Sequence, residues 1–82
     1  MKTKLIRKWQ EKFKDLGDEF EMDFMDMIND RENYVGERSE KWQESDNCSE
    51  YEEVTEAIDS VKDDVSYNVE EIVSHLETLL EI

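Results

Sequence analysis

The stretch YEEVTEAIDSVKDDVSYNVEEIVSHLETLLEI, residues 51–82, decides the fold. Its apolar residues fall at Tyr51, Val54, Ile58, Val61, Val65, Val69, Ile72, Leu76, Leu79 and Leu80. Steps of three and four, sustained over some thirty residues, are the mark of one long amphipathic helix rather than of an alternating strand. At 1.5 Å of rise per residue, that helix is about 45 Å long. Its soft point is Asp63–Asn68, where helix formers are poor. A kink there, or a break at Ser66–Asn68 that yields a third short helix, is the alternative to one continuous element.

The first half of the chain repeats the pattern, with Leu5, Trp9, Phe13, Leu16, Phe20, Phe24, Met27, Ile28, Tyr34 and Val35 at helical spacing. Thr3 is placed to cap its start. Gly17 interrupts the run, and Asp18 with Glu21 has the spacing of a capping box, so a restart at Asp18 is one reading. The apolar register crosses Gly17 unchanged, which favours a continuous or gently kinked helix at a cost of about 1 kcal/mol. Residues 36–49 lose the periodicity. Gly36 is placed to end the first helix in a left-handed conformation, and Ser45, Asp46 or Ser49 to cap the next. Trp42, alone among polar neighbours, is expected to fold back over the end of the hairpin. Its alternative role is an exposed anchor for a partner.

These elements predict a single all-α domain, an antiparallel hairpin of two long helices. Residues 1–35 form the first helix with a basic N-terminal arm, residues 36–49 the connection, and residues 50–82 the second helix. Two helices cannot cover wide apolar faces on both members, so pairing of two chains into a four-helix bundle, a homodimer, is expected. Proline is absent and glycine occurs twice among 82 residues. Charged residues make up 41% and hydrophobic residues 37%, which approaches the composition of disordered acidic segments. The regular apolar spacing and eight aromatic residues favour order instead.

Charge is segregated. Residues 1–14 hold six bases (Lys2, Lys4, Arg7, Lys8, Lys12, Lys14) and one acid, Glu11, whereas residues 15–82 hold four bases and 23 acids. Antiparallel pairing sets the basic arm beside Glu70, Glu71, Glu77 and Glu81, which is expected to neutralise it in part. An exterior this acidic repels nucleic acid and anionic membrane and attracts basic surfaces. Lys4, Leu5, Arg7, Lys8, Trp9, Lys12 and Phe13 do have the make-up of an interfacial helix, but the aromatics continue the register of the helix that follows. No apolar run is long enough to span a bilayer, and no signal-peptide core is present. The expected setting is a soluble protein in the cytoplasm.

Little in the chain points to catalysis. Cys48 is the single cysteine, so no internal disulfide forms, and acidic neighbours disfavour its thiolate. His75 has no second histidine or any nearby cysteine with which to hold zinc. There is no EF-hand loop and no glycine-rich phosphate loop. Asp23-x-x-Asp26 and Glu50-x-x-Glu53 have the form of magnesium-binding pairs in all-helical pyrophosphohydrolases, yet among 24 acids such pairs arise often by chance. No enzyme activity, cofactor or metal is expected. Glu52, Glu53, Glu56, Asp59, Asp63 and Asp64 place six carboxylates within about 18 Å of helix axis, and one strand of B-DNA carries a phosphate every 3.4 Å or so. These six, with Asp23, Asp26 and Asp30 as a second row and Trp42 as an apolar anchor, are the candidate partner-binding residues. The competing reading is a solvated face that keeps a small bundle in solution.

The segment Glu37-Arg-Ser-Glu-Lys-Trp-Gln-Glu-Ser-Asp46, followed by Tyr51, resembles a motif of small acidic helical proteins encoded by phages and prophages. In those, a helix leads into a turn bearing Ser-x-x-x-Gln-x-Ser, and an acidic helix follows. The resemblance spans residues 24–62. It implies a phage origin and a helical hairpin and carries over no functional residue. Small acidic phage proteins include inhibitors of host defence, anti-restriction and anti-CRISPR proteins that imitate nucleic acid. The function expected is accordingly a non-enzymatic inhibitor that occupies the nucleic-acid-binding surface of a basic host nuclease or CRISPR effector. It would contact neither nucleic acid nor membrane itself. The alternative is a helical-bundle assembly protein whose acid serves only solubility.

Overall fold

The computed structural model describes residues 2–82. It contains helix α1, Thr3–Gly36, helix α2, Glu40–Gln43, and helix α3, Asp46–Leu80, with no strand among the described residues. Helices α1 and α3 lie antiparallel as a hairpin measuring 62 × 15 × 11 Å between Cα atoms. Its radius of gyration is 18.6 Å, against about 12 Å for a compact domain of this length. A single chain is therefore an elongated hairpin and not a bundle.

The seam between the helices is a heptad-like ladder. Helix α1 supplies Ile6, Gln10, Phe13, Gly17, Phe20, Phe24, Ile28, Arg31 and Val35; α3 supplies Cys48, Tyr51, Thr55, Ile58, Lys62, Val65, Val69, Val73, Leu76 and Leu80. All are buried or half-buried. On α1 this ladder is rotated from the expected stripe. Ile6, Gln10 and Gly17 are buried, while Leu5, Trp9, Leu16 and Met27 remain exposed. The apolar sector of α1 is wider than one partner helix covers, and the close approach at Gly17 fixes which part is used. A Cβ there would sit 3.0 Å from Val69 Cγ1 and 3.4 Å from Val69 Cγ2, so the absent side chain lets the backbone of α1 meet a β-branched residue of α3. The helix runs through Gly17 unbroken, and Asp18 with Glu21 caps nothing.

The ends depart from expectation in instructive ways. Thr3 is the first helical residue, and Lys2 takes the cap position without a side-chain bond. Gly36 is the last residue of α1 and has no positive φ; the helix closes instead through Glu37, whose N–H donates to the Asn33 carbonyl at 3.0 Å. Between the long helices, α2 is capped by Ser39, whose Oγ accepts from the Trp42 N–H at 3.3 Å. Ser45 caps α3 by accepting from the Cys48 N–H at 3.4 Å, while its hydroxyl donates to the Trp42 carbonyl. With Ser45 as cap, α3 begins at Asp46, earlier than the expected residue 50. Gln43 Nε2 donates to the carbonyls of Val35 at 2.9 Å and Arg38 at 3.0 Å.

The Ser39-x-x-x-Gln43-x-Ser45 motif is thus the hydrogen-bonding chemistry of the hinge. Trp42 folds back into an aromatic cluster, edge-on to Tyr34 at 5.7 Å and to Tyr51 at 6.0 Å, with Tyr34 and Tyr51 stacked at 4.9 Å. The short third helix falls here rather than near Ser66–Asn68, where α3 is continuous. No helix among the described residues is long and apolar enough to cross a membrane.

Candidate functional site

The acids of α3 divide by angle around the helix axis. At 3.6 residues per turn, Glu52, Glu56, Asp59, Asp63, Glu70 and Glu77 fall within a sector of about 60°. Together they form a ridge about 37 Å long. Glu53 and Asp64 are turned by roughly 100° and 120° from Glu52 and stand off this line. Along the ridge itself, Glu52, Glu56, Asp59 and Asp63 are spaced by about 5.5 Å of axis, sparser than the phosphates of one DNA strand. The carboxylates of the ridge are exposed.

A single cation interrupts the ridge. Lys62 Nζ lies 3.2 Å from Asp59 Oδ1 and 3.6 Å from Asp63 Oδ1, and the same Nζ donates to Met25 Sδ at 3.3 Å. The hydrogen bond to Asp59 holds the Lys62 ammonium above the ordinary lysine range, against the opposing pull of burial. At the hinge end, Cys48 Sγ lies 3.6 Å from Glu52 Oε1. Burial, with the Glu52 charge adding to it, pushes the Cys48 thiol up, so it stays protonated and poorly nucleophilic at neutral pH.

On the same side of the hairpin, α1 contributes Lys14, Asp18 and Glu21 to a groove shared with Ser66, Glu70 and Ser74. Glu32 shares a second groove with Glu52 and Glu56. The proposed second row lies elsewhere. Asp23 lines the opposite groove with Leu16, Phe20 and Ile72. Asp30 falls near the angle of Asp23, and Asp26 is turned a further step outward. Asp23, Asp26 and Asp30 therefore do not extend the ridge formed by Glu52, Glu56, Asp59 and Asp63. Nor do Asp23 and Asp26 face Glu50 and Glu53. Arg31 is the residue opposite Tyr51 and Thr55, and Asp23 lies eight residues from Arg31, about 12 Å along the axis. No group of three or more histidine, cysteine or acidic side chains among the described residues converges to hold a metal ion. His75 is exposed on α3.

The basic arm does lie beside the end of α3, as Gln10 Nε2 donates to the Val73 carbonyl at 3.2 Å and to Glu77 Oε2 at 2.8 Å. Bases and acids share this end, but among the described residues no ion pair joins them. The ion pairs among the described residues are those of Lys62, and Lys2, Lys4, Arg7, Lys8, Lys12 and Lys14 form none. Lys12 instead sits 4.7 Å above the Trp9 ring.

Four polar residues on the seam were not singled out by the apolar pattern: Gln10, Arg31, Thr55 and Lys62. Arg31 Nε donates to Thr55 Oγ1 at 2.8 Å and Nη2 to the Tyr51 carbonyl at 3.0 Å, with the guanidinium 3.8 Å over the Tyr51 ring. Polar residues at such positions fix register at some cost in stability. Opposite the ridge, the hairpin carries an apolar stripe that Glu19 and Asp23 interrupt near its middle. Leu5, Trp9, Leu16, Met27 and Tyr34 of α1 and Val54, Val61, Ile72 and Leu79 of α3 are all exposed. The two long faces differ in balance: the ridge side is mainly carboxylate, with Met22, Met25 and Tyr67 also exposed, and the opposite side is mainly hydrocarbon, with Glu19 and Asp23 in its groove. Neither a protein-family model, nor a curated protein, nor a solved structure significantly matches this chain.

Proposed function

We propose that the protein is a non-enzymatic binding module whose acidic ridge occupies the nucleic-acid-binding surface of a basic partner. The partner class that fits is a host nuclease or CRISPR effector, met in the cytoplasm of a bacterial cell by a phage-type inhibitor. The observation that carries this reading is the alignment of Glu52, Glu56, Asp59, Asp63, Glu70 and Glu77 along one edge, with Lys62 as their one internal counter-charge. Such a row steers a basic surface from a distance and makes association fast and sensitive to ionic strength. Mimicry of this kind rests on a continuous line of negative charge, sparser than the phosphates of a DNA strand, and not on a match to every phosphate.

The test is capture of partners from host lysate on immobilised protein, with elution by a salt gradient and competition by DNA. The reading expects recovery of a nucleic-acid-binding protein that DNA displaces. The triple change Glu56→Lys, Asp63→Lys and Glu70→Lys reverses one line of the ridge and should abolish capture while circular dichroism shows unchanged helicity. Capture that survives this change at low salt overturns the reading.

The exposed apolar stripe favours a second reading, an assembly protein whose product is the bundle and whose acid keeps that bundle in solution. Its signature is a stable oligomer that binds no basic protein at any ionic strength.

A further inference from the structure

We infer that the apolar face opposite the acidic ridge is the seat of a second copy of this chain, packed antiparallel across a two-fold axis perpendicular to the hairpin. The inference does not depend on what the ridge binds. Three observations carry it.

The first is area. The chain exposes 6502 Å², about 1,300 Å² more than a compact monomer of its 9.9 kDa mass. A stable interface buries about 800 Å² per partner, so one face-to-face contact would remove most of the excess. The second is the composition of the face. Leu16 is 61% exposed and Val61 48%, and they stand in line with Trp9, Met27, Val54 and Ile72. Each helix therefore presents a second apolar stripe beside the one it uses in the hairpin, as members of a four-helix bundle do.

The third is charge, and it selects the orientation. The open end of the hairpin, residues 2–14 with 70–82, carries six bases and five acids, whereas the hinge end, residues 30–53, carries three bases and nine acids. A parallel pair sets the two strongly acidic hinge ends together, whereas an antiparallel pair sets each against a near-neutral open end. In the antiparallel pair, α1 lies over its counterpart in the opposite direction. The outer edge of α1 reads basic and then acidic, with Lys8 and Lys12 near the same angles as Asp26 and Asp30. The twofold brings the Lys8–Lys12 segment of each copy over the Asp26–Asp30 segment of the other, and these pairings offset the meeting of Asp15, Glu19 and Asp23 with their counterparts near the axis. The bases left without ion pairs inside the monomer thereby gain carboxylates across the interface.

The experiment is sedimentation of the purified chain over a concentration series, with circular dichroism as the folding control. The wild-type chain is expected to be a dimer. Leu16→Glu with Val61→Glu alters two side chains that are already exposed in the monomer and should give a helical monomer. The charge-reversed chains K8E/K12E and D26K/D30K should each dimerise more weakly, by roughly tenfold or more, since each reverses four exposed charge pairs. Mixed together, the two should form a heterodimer, because every reversed base then meets a reversed acid. A monomeric wild-type chain, which is what a face reserved for a different polypeptide would give, overturns the inference. A trimer or larger assembly overturns it too. A dimer indifferent to the charge reversals overturns the antiparallel seating.

Discussion

At the scale of single residues, two glycines play opposite parts. Gly17 is a contact and Gly36 is not. A Cβ at Gly17 meets a stiff valine at 3.0 Å, whereas one at Gly36 meets nothing within 4 Å. Gly36→Ala should therefore raise stability by about 0.5 kcal/mol through the unfolded chain and the helical preference of alanine. Gly17→Leu should lower it by about 1–3 kcal/mol by forcing the helices apart. Urea titrations of both variants check the pair of signs. Cys48 offers a test by pH. Its folded thiol holds its proton more tightly than the unfolded one, so its contribution is fully present at neutral pH and disappears as pH climbs past the ordinary thiol range. The unfolding midpoint should fall on alkaline titration, less steeply in Cys48→Ala, and at neutral pH iodoacetamide should label Cys48 more slowly than an unstructured cysteine peptide.

At the scale of elements, the long stripe of residues 51–82 and the run from Leu5 to Val35 made two helices and their antiparallel order legible. Gly17 and Ser66–Asn68 read as soft because propensity is local, whereas the packing that carries the helices across them is not. The hinge was partly legible, since Ser45 was among the candidate caps and Trp42 was expected to fold back. The face used on α1 was not. A wide apolar sector does not say which of its edges packs, and Gln10, Arg31 and Lys62 carry no apolar signal at all. Arg31 shows what such a residue does. It ties the two helices by a pair of hydrogen bonds and a stacked ring near the hinge. Arg31→Ala should cost about 1–3 kcal/mol, measured as a shift in the denaturation midpoint, with helix content retained in the folded state.

At the scale of the whole molecule, the separation of acid from hydrocarbon accounts for why composition alone suggested both an interaction protein and a solubilised bundle. The ridge and the apolar face are different surfaces, so both readings find their residues. Sequence arithmetic put Asp23, Asp26 and Asp30 in one class with the acids of α3, because a count of carboxylates ignores the side of the hairpin on which each stands. If association completes the fold, the thermal midpoint should rise with protein concentration. A midpoint constant over a hundredfold range of concentration would mean that the hairpin is stable alone.

The serine-capped hinge has a consequence for how copies of this chain can combine. Trading α3 between two molecules would require Ser39, Gln43 and Ser45 to release their backbone partners and the Tyr34–Trp42–Tyr51 stack to come apart. A corner so fully bonded resists straightening, which closes the usual route to entangled, domain-swapped dimers. A hairpin bonded at this corner keeps α3 against its own α1 in any complex it forms.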